Sequence, residues 1–131
     1  SWYERGDGTF ALADARAARV GFLICTELWF THHARAYGEA GAHVIAVPRC
    51  TPSESLDKWL AGGRTAAVVA GAYALSSNHG GERFGGQGWI VDPEGDVLAI
   101  TSRDEPFATA TIDLDVAEAA KATYPRYVPV S

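Results

Sequence analysis

The chain has 131 residues, 47% of them hydrophobic and 21% charged, enough for one ordinary domain with a real core. Eleven Lys and Arg against sixteen Asp and Glu leave a net charge of -5, with no basic run to neutralise phosphates, which argues against a nucleic-acid partner. The longest apolar stretches, Val20 to Cys25 and Ala66 to Ala72, fall far short of the ~20 residues that span a bilayer, which excludes a transmembrane role.

Nothing at the start has the charged, apolar and small-residue order of an export signal. The sequence begins Ser1-Trp2-Tyr3 and contains no Met, and it reads as the later part of a longer polypeptide. Cys25 and Cys50 are too few for a disulfide framework and lack metal-ligand spacing, so a reducing, cytoplasmic setting and no metal are expected.

In chain order, Thr9 to Ala13 alternates as a short strand. An Arg/Ala-rich connection leads to Arg19 to Ile24, a strand expected to be buried on both faces. From Thr31 the positions Ala34, Tyr37 and Gly41 follow helical spacing, with Gly41 as the stop. His43 to Val47 is the next buried strand, closed by Pro48. Two helix starts then compete: the capping pattern at Thr51-Pro52-Ser53-Glu54, and Ser55-Leu56-Asp57. The helix they open passes Trp59 and is weakened by Gly62 and Gly63.

Ala72 to Ser76 reads as a strand, Ser77 to Gly86 as a Gly-rich polar loop, and Trp89 to Ile100 as a hairpin turning at Asp92-Pro93-Glu94-Gly95. Phe107 to Asp113 alternates as a further strand before a short Ala-rich helix from Asp115 to about Ala122. With no repeat or linker, residues 1–131 form a single α/β unit with a sheet of mixed direction.

Chemistry concentrates where the strand ending at Ile24 meets Cys25-Thr26-Glu27. The carboxyl ends of strands are where α/β sheets place ligands, and a thiol there is exposed on one side while its backbone is rigid. N–H groups just after it can stabilise an oxyanion, and the following helix can lower its pKa. On spacing alone Cys25 is either such a nucleophile or a buried small hydrophobe.

The segment Gly21-Phe22-Leu23-Ile24-Cys25-Thr26-Glu27 resembles the nucleophile segment of the carbon-nitrogen hydrolase, or nitrilase, superfamily: Gly, two apolar residues, Ile, Cys, any residue, then Asp or Glu. Later landmarks agree in order: Arg35, Gly41-Ala42, Pro48, Trp59, Ser77-Asn78, Ile90 to Gly95, Ile112-Asp113-Leu114 and Tyr124-Pro125-Arg126. The resemblance covers essentially the whole chain. It implies an αββα sandwich, of which this chain holds about half. It also implies hydrolysis of a non-peptide carbon-nitrogen bond in a small amide, carbamoyl or nitrile substrate, with no cofactor. In such enzymes the Cys, here Cys25, forms a thioester while a Glu moves protons. A Lys and the N–H after the Cys, here Thr26, hold the oxyanion.

The sequence departs from the family where the other catalytic groups should stand. The base Glu, the Lys and a second Glu precede the Cys in family order, yet the lysines here are Lys58 and Lys121, both downstream. Upstream acids are Glu4, Asp7 and Asp14, and aligning Gly6-Asp7 with the family's Gly-Asp pair puts the second Glu just before Ser1. Thr31-His32 stands where Pro-Glu usually opens the helix, and Ala66 to Ala70 where Arg-Ala-x-Glu-Asn is common.

Around the nucleophile, Glu27 either touches substrate or pairs with an arginine such as Arg35 to brace the turn, and the bracing role is preferred. His32 and His33 are adjacent on a helix, about a hundred degrees apart, and read as a solvated helix start rather than metal ligands. Asn78 either orients backbone near the site or caps a turn. Arg49, Thr51 and the loop from His79 to Gly86 follow strand ends, where they line a substrate pocket or are ordinary polar loop.

The expectation is therefore a nitrilase-like amidase or carbamoylase segment with Cys25 as nucleophile, in a homo-oligomer or joined to the missing N-terminal half. The competing expectation is a non-catalytic fragment or assembly partner of the same fold, inactive alone. Half a sandwich leaves an apolar sheet face that needs a cover, and the irregular tail from Pro125 to Ser131 could cross a dimer interface by the same resemblance.

Overall fold

Six short strands pair in chain order, β1 (Ala13–Ala15), β2 (Ala18–Phe22), β3 (Val44–Arg49), β4 (Tyr73–Asn78), β5 (Trp89–Val91) and β6 (Val97–Ile100). The computed structural model describes residues 2–130. Strands β2, β3 and β4 run parallel, while β1, β5 and β6 are each antiparallel to their neighbours. Parallel pairing requires long crossovers, and these are helices α1 (Thr31–Glu39) and α2 (Leu56–Ala70). A third helix, α3 (Leu114–Ala120), is capped by the Asp113 carboxylate, which accepts the Asp115 N–H.

Alternation along each strand sorts side chains to two faces. Leu23, Ile45, Val47, Ala74, Trp89 and Val91 face α1 and α2, where they pack with Ala34, Tyr37, Trp59, Ala66, Ala67 and Ala70. Val44 and Tyr73 face the other way, against Ala117 with Val20, Leu75 and Ile112. Much of this second face is uncovered. Phe22 is 46% exposed, and an apolar hollow of about 370 Å³ is lined by residues including Phe22, Ala46, Pro48, Leu75, Ile90 and Ala108.

That face explains two departures from the sequence reading. Strand β2 is not buried on both sides, because Phe22 is left about half exposed on the second face. The segment from Phe107 to Asp113 is not a strand: Ala108 lines the hollow and Ile112 packs on the second cluster, so its alternating residues meet the sheet's face rather than its edge.

The first strand lies later than expected, and the Arg/Ala-rich connection is the hairpin itself, turning at Arg16-Ala17. Pro48 lies inside β3 rather than ending it. Ala46 O accepts the Leu23 N–H, so Pro48, two residues on, turns its nitrogen toward the same edge, beyond the end of β2, where no ladder bond is lost. Of the two starts proposed for the second helix, the later one is realised: Ser53–Ser55 is a separate 3-10 turn and α2 begins at Leu56. The α1 turn ends as the sequence suggests, with Gly41 at φ +91°.

Gly63 costs α2 helix propensity but is required by packing, since a Cβ there would stand 2.2 Å from the Trp89 ring. Gly63→Ala should therefore destabilise the chain by about 1–3 kcal/mol in urea unfolding, while Gly6→Ala, with open space at its Cβ, should change it by less than ~0.5 kcal/mol.

A buried histidine adds a pH-dependent tie. The Arg19 N–H donates to His43 Nδ1 at 2.9 Å, so the ring proton sits on Nε2 and is given to Glu118 Oε1 at 2.6 Å. This bond holds the Glu118 carboxyl below its ordinary value. A depressed carboxylate contributes stability above its unfolded pKa and loses it as pH falls through the folded one. Glu118→Gln should therefore lower the urea midpoint at pH 7, and the gap from the parent should close as pH falls below the usual carboxylate range. A gap independent of pH would contradict this tie.

Candidate active site

Strand β2 ends at Phe22, and the chain then turns into a 3-10 helix spanning Cys25–Trp29 at the carboxyl edge of the parallel strands. Cys25, half-buried, has φ +49°, the left-handed region that a residue with a Cβ seldom adopts. Such a conformation costs roughly 1–3 kcal/mol and persists only when its surroundings over-determine it. Here they do. The Ile24 N–H donates to Glu27 Oε2 at 2.6 Å, the Glu27 N–H returns to Ile24 O at 3.1 Å, and the Phe30 N–H closes on Glu27 O at 3.1 Å. Leu23 and Leu28, both fully buried, pin the turn on either side. The Tyr37 hydroxyl donates to Phe22 O at 3.0 Å, and burial pushes its phenol up, keeping it the donor.

Thr26 is exposed, and its N–H lies in the first turn of the 3-10 helix, where a helix's own geometry leaves N–H groups without an acceptor. Glu27 braces the turn, but its partner is the Ile24 backbone and not Arg35. Arg35 instead pairs with Glu39 at 3.0 Å and donates to Val128 O at 2.6 Å, tying down the C-terminal tail. The rings of His32 and His33 lie closer than adjacent helix positions suggested, with centroids 4.0 Å apart, and His33 stacks on Phe10 at 3.9 Å.

Arg49, the last residue of β3, is buried. Its Nε donates to Ser76 Oγ at 2.6 Å, its Nη1 to Thr51 Oγ1 at 2.6 Å and its Nη2 to Gln87 O at 2.5 Å. The guanidinium also lies over the rings of Trp59 and Trp89, 5.9 and 5.5 Å from their centroids. Asn78 clamps the same loop: its Oδ1 accepts the Thr51 N–H at 2.9 Å and its Nδ2 donates to Thr51 O at 3.0 Å. Arg49, Thr51 and Asn78 follow strand ends in the sequence, which shows neither their joining nor the part of Ser76. The available signal was a polar residue on the helix-facing side of β4, in step with Ala72 and Ala74.

The two lysines stand on α2 and at the C-terminal end of α3. Lys58 is exposed. Lys121 donates to Ala42 O, Gly71 O and Ala117 O; Ala42 and Gly71 precede β3 and β4, at the opposite end of the sheet from Cys25. Glu4 is exposed, and Asp7, likewise exposed, accepts the Thr9 N–H at 2.8 Å, which holds its carboxyl below the ordinary value. Among the described residues no three His, Cys, Asp or Glu side chains gather as a metal site, and Cys25 and Cys50 are both free thiols.

The brace is testable on its own. Glu27→Ala removes the acceptor of the Ile24 N–H and should cost about 1 kcal/mol in urea unfolding with faster amide exchange at Ile24, while Glu27→Gln, which retains an acceptor, should cost less. Equal losses in the two variants would show that the brace does not depend on that bond.

The family model for carbon-nitrogen hydrolase matches residues 1–122. An N-carbamoylputrescine amidase of Solanum tuberosum is 29% identical over 87% of this chain and 45% of its own length. A 2-oxoglutaramate amidase of Bacillus subtilis is 31% identical over 91% of this chain and 46% of its own. The crystal structure of a carbon-nitrogen hydrolase from Helicobacter pylori superposes with a TM-score of 0.82 at 21% identity, covering 95% of this chain and 50% of that one. The chain thus spans about half the length of the curated relatives it matches. With the family model covering nearly all of it, and a sheet that superposes on half of a solved family fold, the chain belongs to the carbon-nitrogen hydrolase family.

Proposed function

We propose that this chain carries the nucleophile of an amidohydrolase, with Cys25 attacking the carbonyl carbon of a small amide or N-carbamoyl substrate. The observation that carries this reading is the strained, braced φ of Cys25 at the carboxyl edge of parallel strands, the place where such sheets present reacting groups. The thiolate forms a carbon–sulfur bond, and the Thr26 N–H receives the resulting oxyanion. Collapse breaks the carbon–nitrogen bond, and the nitrogen leaves as amine or ammonia with a proton from a general acid. Water then attacks the thioester carbon, releasing the acid and returning the thiol. The names of the similar amidases favour an amide or carbamoyl group over a nitrile.

The general acid-base Glu and the Lys come from residues beyond these 131, packed through a second sheet on the uncovered face around Phe22, Ala46 and Leu75. A homo-oligomer is part of the same reading. Among the described residues no helix is long and apolar enough to cross a membrane, and a reducing cytoplasm would keep both thiols free. A second reading, that the isolated chain is an inactive assembly partner, is favoured by the commitment of Lys121 to three backbone carbonyls.

Ammonia release from a panel of amides and carbamoyl amines tests both. The isolated chain should show no turnover. A protein joining it to the partner segment should turn over, and Cys25→Ala should lower that rate roughly a thousandfold or more, since groups acting as a unit fail together. Turnover that survives Cys25→Ala would overturn the nucleophile assignment; turnover by the isolated chain would overturn the need for outside partners.

A further inference from the structure

Among the described residues, Arg49 is a buried charge that no carboxylate meets. Its three hydrogen bonds go to neutral acceptors, Ser76 Oγ, Thr51 Oγ1 and Gln87 O, and its flat faces meet the rings of Trp59 and Trp89. A guanidinium has five N–H donors, so two are left over. Buried charges are costly unless paired, and a neutral side chain could tie these strand ends together without that cost. The groups that meet Arg49 include no acid: β4 contributes Ser76, the loop after β3 Thr51, the approach to β5 a backbone carbonyl, and α2 an indole. Glu27, the one carboxylate of the Cys25–Trp29 turn, is committed to the Ile24 N–H.

The register supplies the partner. Phe22 stands opposite Ala46 in the parallel β2–β3 pair, and the Leu23 N–H continues the ladder onto Ala46 O. Cys25 and Arg49 each lie three residues beyond that pair, and Cys25 packs against the same apolar cluster that holds Trp59 and Trp89.

We propose that Arg49 is a positioning residue for the Cys25 thiolate, a fixed positive charge set behind the nucleophile turn and left without a carboxylate so that its field falls on the sulfur. The proposal rests on the reading of Cys25 as nucleophile. Burial draws the guanidinium below its ordinary value. Removing the Arg49 charge makes the thiolate harder to form, whereas a purely mechanical tie between strands would affect only stability.

The test is the pH dependence of Cys25 alkylation by iodoacetamide, followed by peptide mass spectrometry in a Cys50→Ser background. Arg49→Gln should move the midpoint up by about half a unit or more and slow alkylation at pH 7 roughly threefold or more. Arg49→Lys, keeping the charge, should hold the midpoint near that of the parent. If Arg49→Gln does not fold, Ser76→Asp gives the guanidinium a carboxylate in place of the hydroxyl it now meets at 2.6 Å, and should also raise the midpoint. Unchanged midpoints in the folded variants, with only the urea transition lowered, would overturn the role of Arg49 and leave the nucleophile reading standing. A parent Cys25 that alkylates no faster than the same thiol in the urea-unfolded chain would overturn the nucleophile reading itself, and this proposal with it.

Discussion

The backbone at Cys25 is the constraint on which the site depends. A residue with a Cβ is held at φ +49°, and two hydrogen bonds between Ile24 and Glu27 close the turn around it. The Glu27 carboxylate supplies half of a capping box, accepting the N-terminal N–H of the 3-10 helix, while Ile24 has no side-chain acceptor to return the favour. The turn is therefore held by one carboxylate acceptor, by the Glu27 N–H on Ile24 O and by packing of Leu23 and Leu28, both fully buried. Arg16 shares a positive φ at the β1–β2 hairpin turn, but at Cys25 the strain sits at the carboxyl edge of the parallel strands, where reacting groups cluster.

The ends of β3 and β4 carry a polar cluster in which Arg49 and Thr51 are buried. Arg49, Ser76, Thr51 and Asn78 connect the ends of β3 and β4, with Ser76 Oγ receiving Arg49 Nε and donating to Val47 O at 2.7 Å. Each member fixes another, so the loop after β3 is positioned by side chains as well as by the sheet ladder. The two tryptophans enclose the guanidinium from the apolar side, and Gly63 gives Trp89 the room it needs. The same helix–sheet packing that builds the core thus also encloses a cation beside the cluster on which Cys25 packs.

The parallel strands and their crossovers were legible in the sequence because buried runs such as Val44 to Val47 and the small face of α2 carry their own periodicity. The β5–β6 hairpin was legible from its turn, where Asp92 Oδ1 accepts two backbone N–H groups. The segment from Phe107 to Asp113 was misread because alternation marks a surface with two sides and does not say whether that surface meets an edge or a face. At the site, the position of Cys25 could be read from its strand end and its motif. The Arg49 network could not, because its partners Ser76 and Gln87 are 27 and 38 residues away and meet it only through the sheet. The bracing role of Glu27 was readable, but its partner was not, since a backbone N–H three residues back leaves no charge signature.

If the fold, and not simple accessibility, makes Cys25 the reactive thiol, the folded chain should distinguish it from Cys50. Cys50 is exposed and Cys25 is half-buried, so the two hypotheses predict opposite outcomes in one chain. The folded protein would be given a limiting amount of p-nitrophenyl acetate and the acetyl group located by peptide mass spectrometry. The account predicts acetylation at Cys25 ahead of Cys50, with the preference lost in urea. Acetylation that follows exposure, at Cys50 first in the folded chain, would contradict it.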